Sequence, residues 1–213
     1  WALLSAAAVT IANISEKKAL IKEHALEFAA TRSVFAIILV LFLLPFINVQ
    51  IGWKNIFFVF VLSWMVTIAL LYRLKAVRHM NISTIAPLMN FSSFFLVITA
   101  YFILGEVMTL LQFGGLVLIV GGAYLLETHK HNTSLLQPFK NLFKTKYALY
   151  VIGGMLVLTI VATFEKLLIT HNVEILTYLF LLWGFMSLNF IVLDYIRFDL
   201  KEIQHDIKAH SWK

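Results

Sequence analysis

The chain contains no cysteine, so disulfides and thiolate metal sites are both excluded. Proline is scarce, at Pro45, Pro87 and Pro138, and only 13% of the 213 residues carry a full charge. H-E-x-x-H and G-x-S-x-G do not occur. The seven histidines all fall in expected loops or at expected helix ends. An intramembrane enzyme would need a nucleophile–base set, paired carboxylates or metal ligands at membrane depth. That reading is therefore the weakest of three, and no catalytic residue, metal or cofactor is assigned. The net charge is +6, but no basic–aromatic groove pattern accompanies it, so nucleic acid is not expected as a partner.

What is abundant is apolar. Hydrophobic residues make up 61% of the chain and the mean hydropathy is +0.89. A soluble domain runs at about 45–50% apolar. The excess exceeds what one soluble core can bury, so the expectation is an all-α, polytopic membrane helix bundle with the lipid bilayer as a partner. The chain starts apolar at Trp1 with no charged region before it, which does not read as a signal peptide. The expectation is an N-terminus shortened by a few residues.

Spans of roughly 20 apolar residues are expected at Trp1–Ile21, Glu27–Phe46, Trp53–Tyr72, Ser83–Leu104, Met108–Leu126, Tyr147–Thr170 and Glu174–Tyr195, which makes about seven transmembrane helices. Residues 128–146 read as a polar, basic linker. Its His129 and His131, near Glu127, make a weak metal motif, and Asn132-Thr133-Ser134 matches a glycosylation acceptor that is common by chance. In the tail, 198–213, Leu200, Ile203 and Ile207 continue a helical spacing from Ile196 among charges, as an amphipathic surface helix does.

Polar groups inside apolar runs are costly and so point to function. Pro87 removes a backbone hydrogen bond from the fourth span, and Asn90 shares its face. Arg32 lies within the second span. Ser15, Lys18 and Lys22 follow one helix face, and the same polar stripe recurs as Thr163, Lys166 and Thr170 at an offset of 148. An interfacial helix end with snorkelling lysines is the plainer reading of the first stripe. Its doubling raises the alternative that Lys18 and Lys166 face an interior cavity. Glu165 could pair with Lys166 or carry a proton. Lys18, Arg32, Pro87, Asn90, Glu165 and Lys166 are thus the candidate substrate-binding residues. Glu106, in the tight turn before the fifth span, is expected to cap that helix. Gly114, Gly115, Gly121 and Gly122 are expected to form a packing stripe.

Tyr72-Arg73-Leu74-Lys75-Ala76, Ile85-Ala86-Pro87-Leu88, Leu104-Gly105-Glu106 and the run from Gln112 to Gly122 together resemble the EamA-like domain of the drug/metabolite transporter superfamily. Lys18 and Arg32 stand where that family often carries a basic residue. The resemblance implies two inverted five-helix repeats that move a small metabolite by alternating access. It implies a first repeat over 1–127 and the start of a second over 147–197. The second is incomplete: it lacks three helices, and Phe180 stands where the offset would place a counterpart to Arg32. The chain is thus expected to be a fragment of a longer permease. A non-transporting scaffold or degenerate half-transporter is the alternative reading, and a homo-oligomer is one assembly such a chain could form.

Fourteen of the 17 Lys and Arg residues fall on one side of these spans. Positive-inside reasoning places that side in the cytoplasm and the N-terminus outside, whereas the resemblance implies the opposite. The expected location is integral to the membrane, in the plasma membrane.

Overall fold

The computed structural model describes residues 2–47, 51–80, 85, 89, 92–129, 146–171 and 173–210. Among these it is entirely helical. The α-helices are α1 (Ala2–Lys22), α2 (Ala25–Leu41), α3 (Trp53–His79), α4 (Ser92–Leu104), α5 (Leu110–His129), α6 (Lys146–His171) and α7 (Ile175–His210). By length and composition, Trp53–His79, Lys146–Thr170 and Ile175–Arg197 can each cross a membrane. α4 and Leu110–Gly122 of α5 are apolar but shorter.

Three helix boundaries differ most from the sequence reading. α2 was expected to run to Phe46, but it stops at Leu41 and tightens into a 3-10 turn, Leu44–Phe46. Pro45 lacks an N–H and its ring would clash with the carbonyl of Leu41 in a continued helix. α3 was expected to end at Tyr72 and continues to His79. A cationic side chain in a last turn favours the negative end of the helix dipole, and Arg78 occupies that turn. The tail is helical as expected and continues the seventh span: α7 runs unbroken to His210, with no Gly or Pro between Tyr195 and His210 to interrupt it.

α3 is the centre of the bundle. It packs on α6 and α7, while α2 lies along α7 and α4 along α6. α1 and α5 sit at the edges, each making few contacts. The shared core includes Val59, Leu62, Val66, Met155, Val161, Met186 and Phe190. Two edge-on ring pairs, Phe58–Phe164 at 5.5 Å and Phe60–Phe185 at 5.4 Å, tie α3 to α6 and α7. Among the described glycines the tightest surroundings are at Gly154, where a Cβ would lie 3.1 Å from the Ala69 carbonyl oxygen. Large apolar side chains cover the outside: Leu110, Leu111 and Phe102 are 91%, 88% and 79% exposed. In water such a surface would aggregate; in a bilayer it faces lipid.

Between α3 and α7 runs a polar seam. Asn189 is buried and donates from Nδ2 to Ser63 Oγ at 3.0 Å and to Thr67 Oγ1 at 3.4 Å. Both hydroxyls also donate to their own helix, Ser63 to the Phe60 carbonyl and Thr67 to the Ser63 carbonyl. Apolar helices gain little by leaving one apolar medium for another, so interhelical hydrogen bonds of this kind help to fix their pairing. Thr163 of α6 plays the same part toward α4, 2.9 Å from Thr99 Oγ1.

Candidate functional site

Charged groups concentrate at the two ends of the bundle. At the end where α4 hands over to α5, a cavity of about 630 Å³ opens beside α6. Its walls include Leu96, Ala100, Glu106, Gln112, Ala162 and Lys166. The turn into it depends on Gly105, whose φ of +68° suits glycine best. Gly105 N–H donates to the Tyr101 carbonyl at 3.1 Å and closes α4 with a left-handed cap. Glu106 follows at once and is thereby aimed at α6.

Lys166 Nζ donates to both Glu106 carboxylate oxygens, at 2.5 and 2.7 Å. Both side chains are about half exposed. The expected cap role of Glu106 is corrected here. Thr109 N–H donates to Gln112 Oε1 at 2.9 Å and Gln112 N–H to Thr109 Oγ1 at 3.3 Å, so these two residues form the capping box of α5. Glu106 is left for Lys166. The Glu165–Lys166 pairing weighed from sequence is likewise replaced, because neighbours in a helix point about 100° apart while Glu106 approaches end-on. Glu165 is half-buried on α6, near enough to Tyr178 of α7 for its charge to act on that hydroxyl. The Tyr178 hydroxyl is buried and has no hydrogen-bond partner among the described residues. Lys166, Glu106 and Glu165 are therefore charged groups at one end of the bundle, two of them lining an open cavity.

The first polar stripe behaves differently. Ser15 and Lys18 are exposed; the face of α1 turned to the bundle carries Asn13, Glu16, Lys17 and Leu20. Glu16 is buried, with Oε1 3.0 Å from Arg73 Nη1. Its Oε2 accepts from Arg73 Nη1 at 3.3 Å and, more weakly, from Arg32 Nη1 at 3.5 Å. Arg73 Nη2 donates to Asn13 Oδ1 at 2.7 Å. Arg32 thus joins a charge network, beside a narrow crevice walled by Ser33, Trp183 and Met186. Lys17 Nζ donates to the Val77, Arg78 and Met80 carbonyls at 2.5, 3.0 and 2.9 Å, and so caps α3. Asn13, Glu16 and Arg73 were not among the candidate substrate-binding residues. The i, i+3 spacing of Asn13 and Glu16 was the available signal, obscured by the adjacent lysines.

Pro87, Asn90, His131, Asn132 and the rest of the basic linker up to Thr145 lie outside the described residues. No cluster of three or more His, Asp or Glu able to hold a metal occurs among the described residues.

At the opposite end, Lys75 and Arg78 of α3, Lys146 of α6 and Arg197 of α7 converge on a second cleft of about 370 Å³. Lys146 and Lys166 are 20 positions apart on α6, about 30 Å at 1.5 Å per residue. Cations that the sequence reading assigned to one side of the membrane thus meet at one end.

Residues 1–128 match the EamA-like transporter family. No curated protein and no solved structure matches the chain.

Proposed function

The chain belongs to the EamA-like transporter family, a family of integral membrane transporters of small solutes, and from that premise we infer that it is a permease whose solute enters the cavity between α4 and α6. The observation that carries this reading is the Lys166–Glu106 pair on the wall of a cavity of about 630 Å³. The volume lies within the range of about 300–1,000 Å³ typical of small-molecule sites. An exposed ion pair contributes little to stability, so its exchange for a solute costs little. A zwitterionic or anionic metabolite supplies a carboxylate or phosphate for Lys166, while Glu106 takes an ammonium or hydroxyl group. Glu165 and the buried Tyr178 hydroxyl offer a second polar station deeper between α6 and α7.

Three of the remaining sequence candidates, Arg32, Pro87 and Asn90, fit the same scheme as supporting groups. Arg32 sits in the Glu16–Arg73 network, and Pro87 and Asn90 belong to the stretch leading into α4. Alternating access between two inverted repeats, the first over 1–127, and insertion in the plasma membrane complete the proposal. The test is uptake of labelled amino acids, sugar phosphates and nucleosides into proteoliposomes. Lys166→Gln and Glu106→Gln are each expected to reduce flux at least tenfold while leaving the thermal transition of the purified protein within about 1 kcal/mol. Undiminished flux in both variants would remove this cavity from the solute path.

A further inference from the structure

We propose that the cationic cleft at the end of the bundle away from Lys166 is a binding site for a phosphate-bearing anion. The source is either an anionic phospholipid headgroup or a soluble phosphate. This site stands apart from the solute cavity and does not depend on it. Lys75, Arg78, Lys146 and Arg197 come from three helices and face one space of about 370 Å³, and no carboxylate among the described residues lines it. None of the four forms an ion pair among the described residues. Four like charges around one cleft repel one another, and an anion removes that cost.

Three further observations sharpen the preference. The N-termini of α2 and α6 both open at the cleft, which adds the positive ends of two helix dipoles. The negative end of α3 is also nearby, but Lys17 occupies its last carbonyls, so they are not available to neutralise the cleft. Arg78 Nη1 donates to His24 Nδ1 at 2.6 Å; a guanidinium cannot accept, so this bond fixes the direction of Arg78 without consuming its charge.

The depth suits a headgroup. Tyr72 stacks on Tyr150 at 5.1 Å, and His79 on Tyr147 at 4.3 Å, at this end of α3 and α6. Aromatic rings of this kind gather where hydrocarbon gives way to headgroups. Basic pockets between membrane helices at that level bind phosphorylated headgroups.

The test uses the whole chain, purified in neutral detergent, and compares it with the Lys75→Gln/Arg197→Gln double variant and with Lys54→Gln at the other end. In the first arm, native mass spectrometry counts retained phosphatidylglycerol against phosphatidylcholine. The wild type is expected to retain phosphatidylglycerol preferentially, with about fivefold loss per removed cation in the double variant and no loss in Lys54→Gln. In the second arm, millimolar inorganic pyrophosphate is added and the unfolding temperature is read. A rise in the wild type that the double variant lacks identifies a soluble phosphate as the ligand. A response in either arm that the double variant loses supports the site and names its source. Equal retention of the two lipids together with no pyrophosphate effect overturns it, as does a folded double variant that behaves like the wild type. Should the double variant lose its helical circular dichroism, Lys75→Gln and Arg197→Gln are measured singly, each with about a fivefold expected loss.

Discussion

Gly153 and Gly154 are neighbours on α6, yet alanine should stabilise at the first position and fail to stabilise at the second. At Gly153 an added Cβ meets nothing within 4 Å. At Gly154 it lies 3.1 Å from the Ala69 carbonyl oxygen and 3.8 Å from the carbonyl carbon, backbone atoms of α3 that no rotamer change can move. Replacing glycine by alanine within a helix is worth about 0.8–1.0 kcal/mol in propensity. Gly153→Ala collects that gain in full. Gly154→Ala must set it against a displacement of α3 from α6 by a few tenths of an ångström, across the most extensive contact in the bundle. Overpacking typically costs about 1–3 kcal/mol, so Gly154→Ala should be neutral or destabilising, and Gly154→Leu clearly destabilising.

The assay is thermal unfolding in detergent, followed by circular dichroism. At about 2–4 °C per kcal/mol for a chain of this size, Gly153→Ala should raise the midpoint by about 2–4 °C. Gly154→Ala should fail to raise it, and Gly154→Leu should lower it by about 4 °C or more. Any uncertainty in helix propensity inside a micelle is shared by the two alanine variants and cancels in their difference. The reasoning is refuted if Gly154→Ala stabilises as much as Gly153→Ala, because the close approach of α3 and α6 would then not exist.

Further outcomes follow from single interactions. Asn189→Leu should cost only about 0.6–1.7 kcal/mol in denaturant titration, the scale of interhelical hydrogen bonds in membrane proteins, and a loss of several kcal/mol would mean that the seam to Ser63 and Thr67 is more than a packing device. Lys17→Met should release two carbonyls of α3 and that of Met80 just after it. At about 1.5–3 kcal/mol for hydrogen bonds to a charged group, amide exchange over the last turn of α3 should accelerate roughly tenfold or more, and unchanged protection would contradict the cap. Gly105→Ala places a side chain at φ +68°, a cost of about 1–2 kcal/mol, and should shift the α4–α5 turn and weaken the Glu106–Lys166 pair. A double-mutant cycle on that pair in the two backgrounds measures the weakening, and equal coupling in both would refute it.

Much of the fold was legible because apolar run length maps directly onto helices in a membrane. The interiors of α3, α6 and the first part of α7 follow from their runs of Val, Leu, Ile and Phe alone. Ends were less legible. Pro45 gives a local reason for α2 to stop early, but the last turn of α3 is secured by Lys17, sixty positions or more from the carbonyls it binds. The site shows the same division. Lys166 was identified from a polar residue in an apolar run, and the structure lines a cavity with it. Its partner was missed, because Glu106 and Lys166 are sixty residues apart and only the packing of α4 on α6 joins them.

Composition determined that this chain is a helical membrane protein, since 61% apolar residues exceed what a soluble core can hold. It also determined where charge is scarce enough to carry meaning. Only the tertiary structure decided which charges meet. It turned Lys18 outward and Glu16 inward on the same helix, because a rotation of about 100° per residue puts side chains two positions apart on nearly opposite faces. It gathered Lys75, Arg78, Lys146 and Arg197, spread over more than a hundred residues, around one cleft. Periodicity is a local property and survives in the sequence, whereas the convergence of helices depends on contacts between distant segments, which no local pattern records.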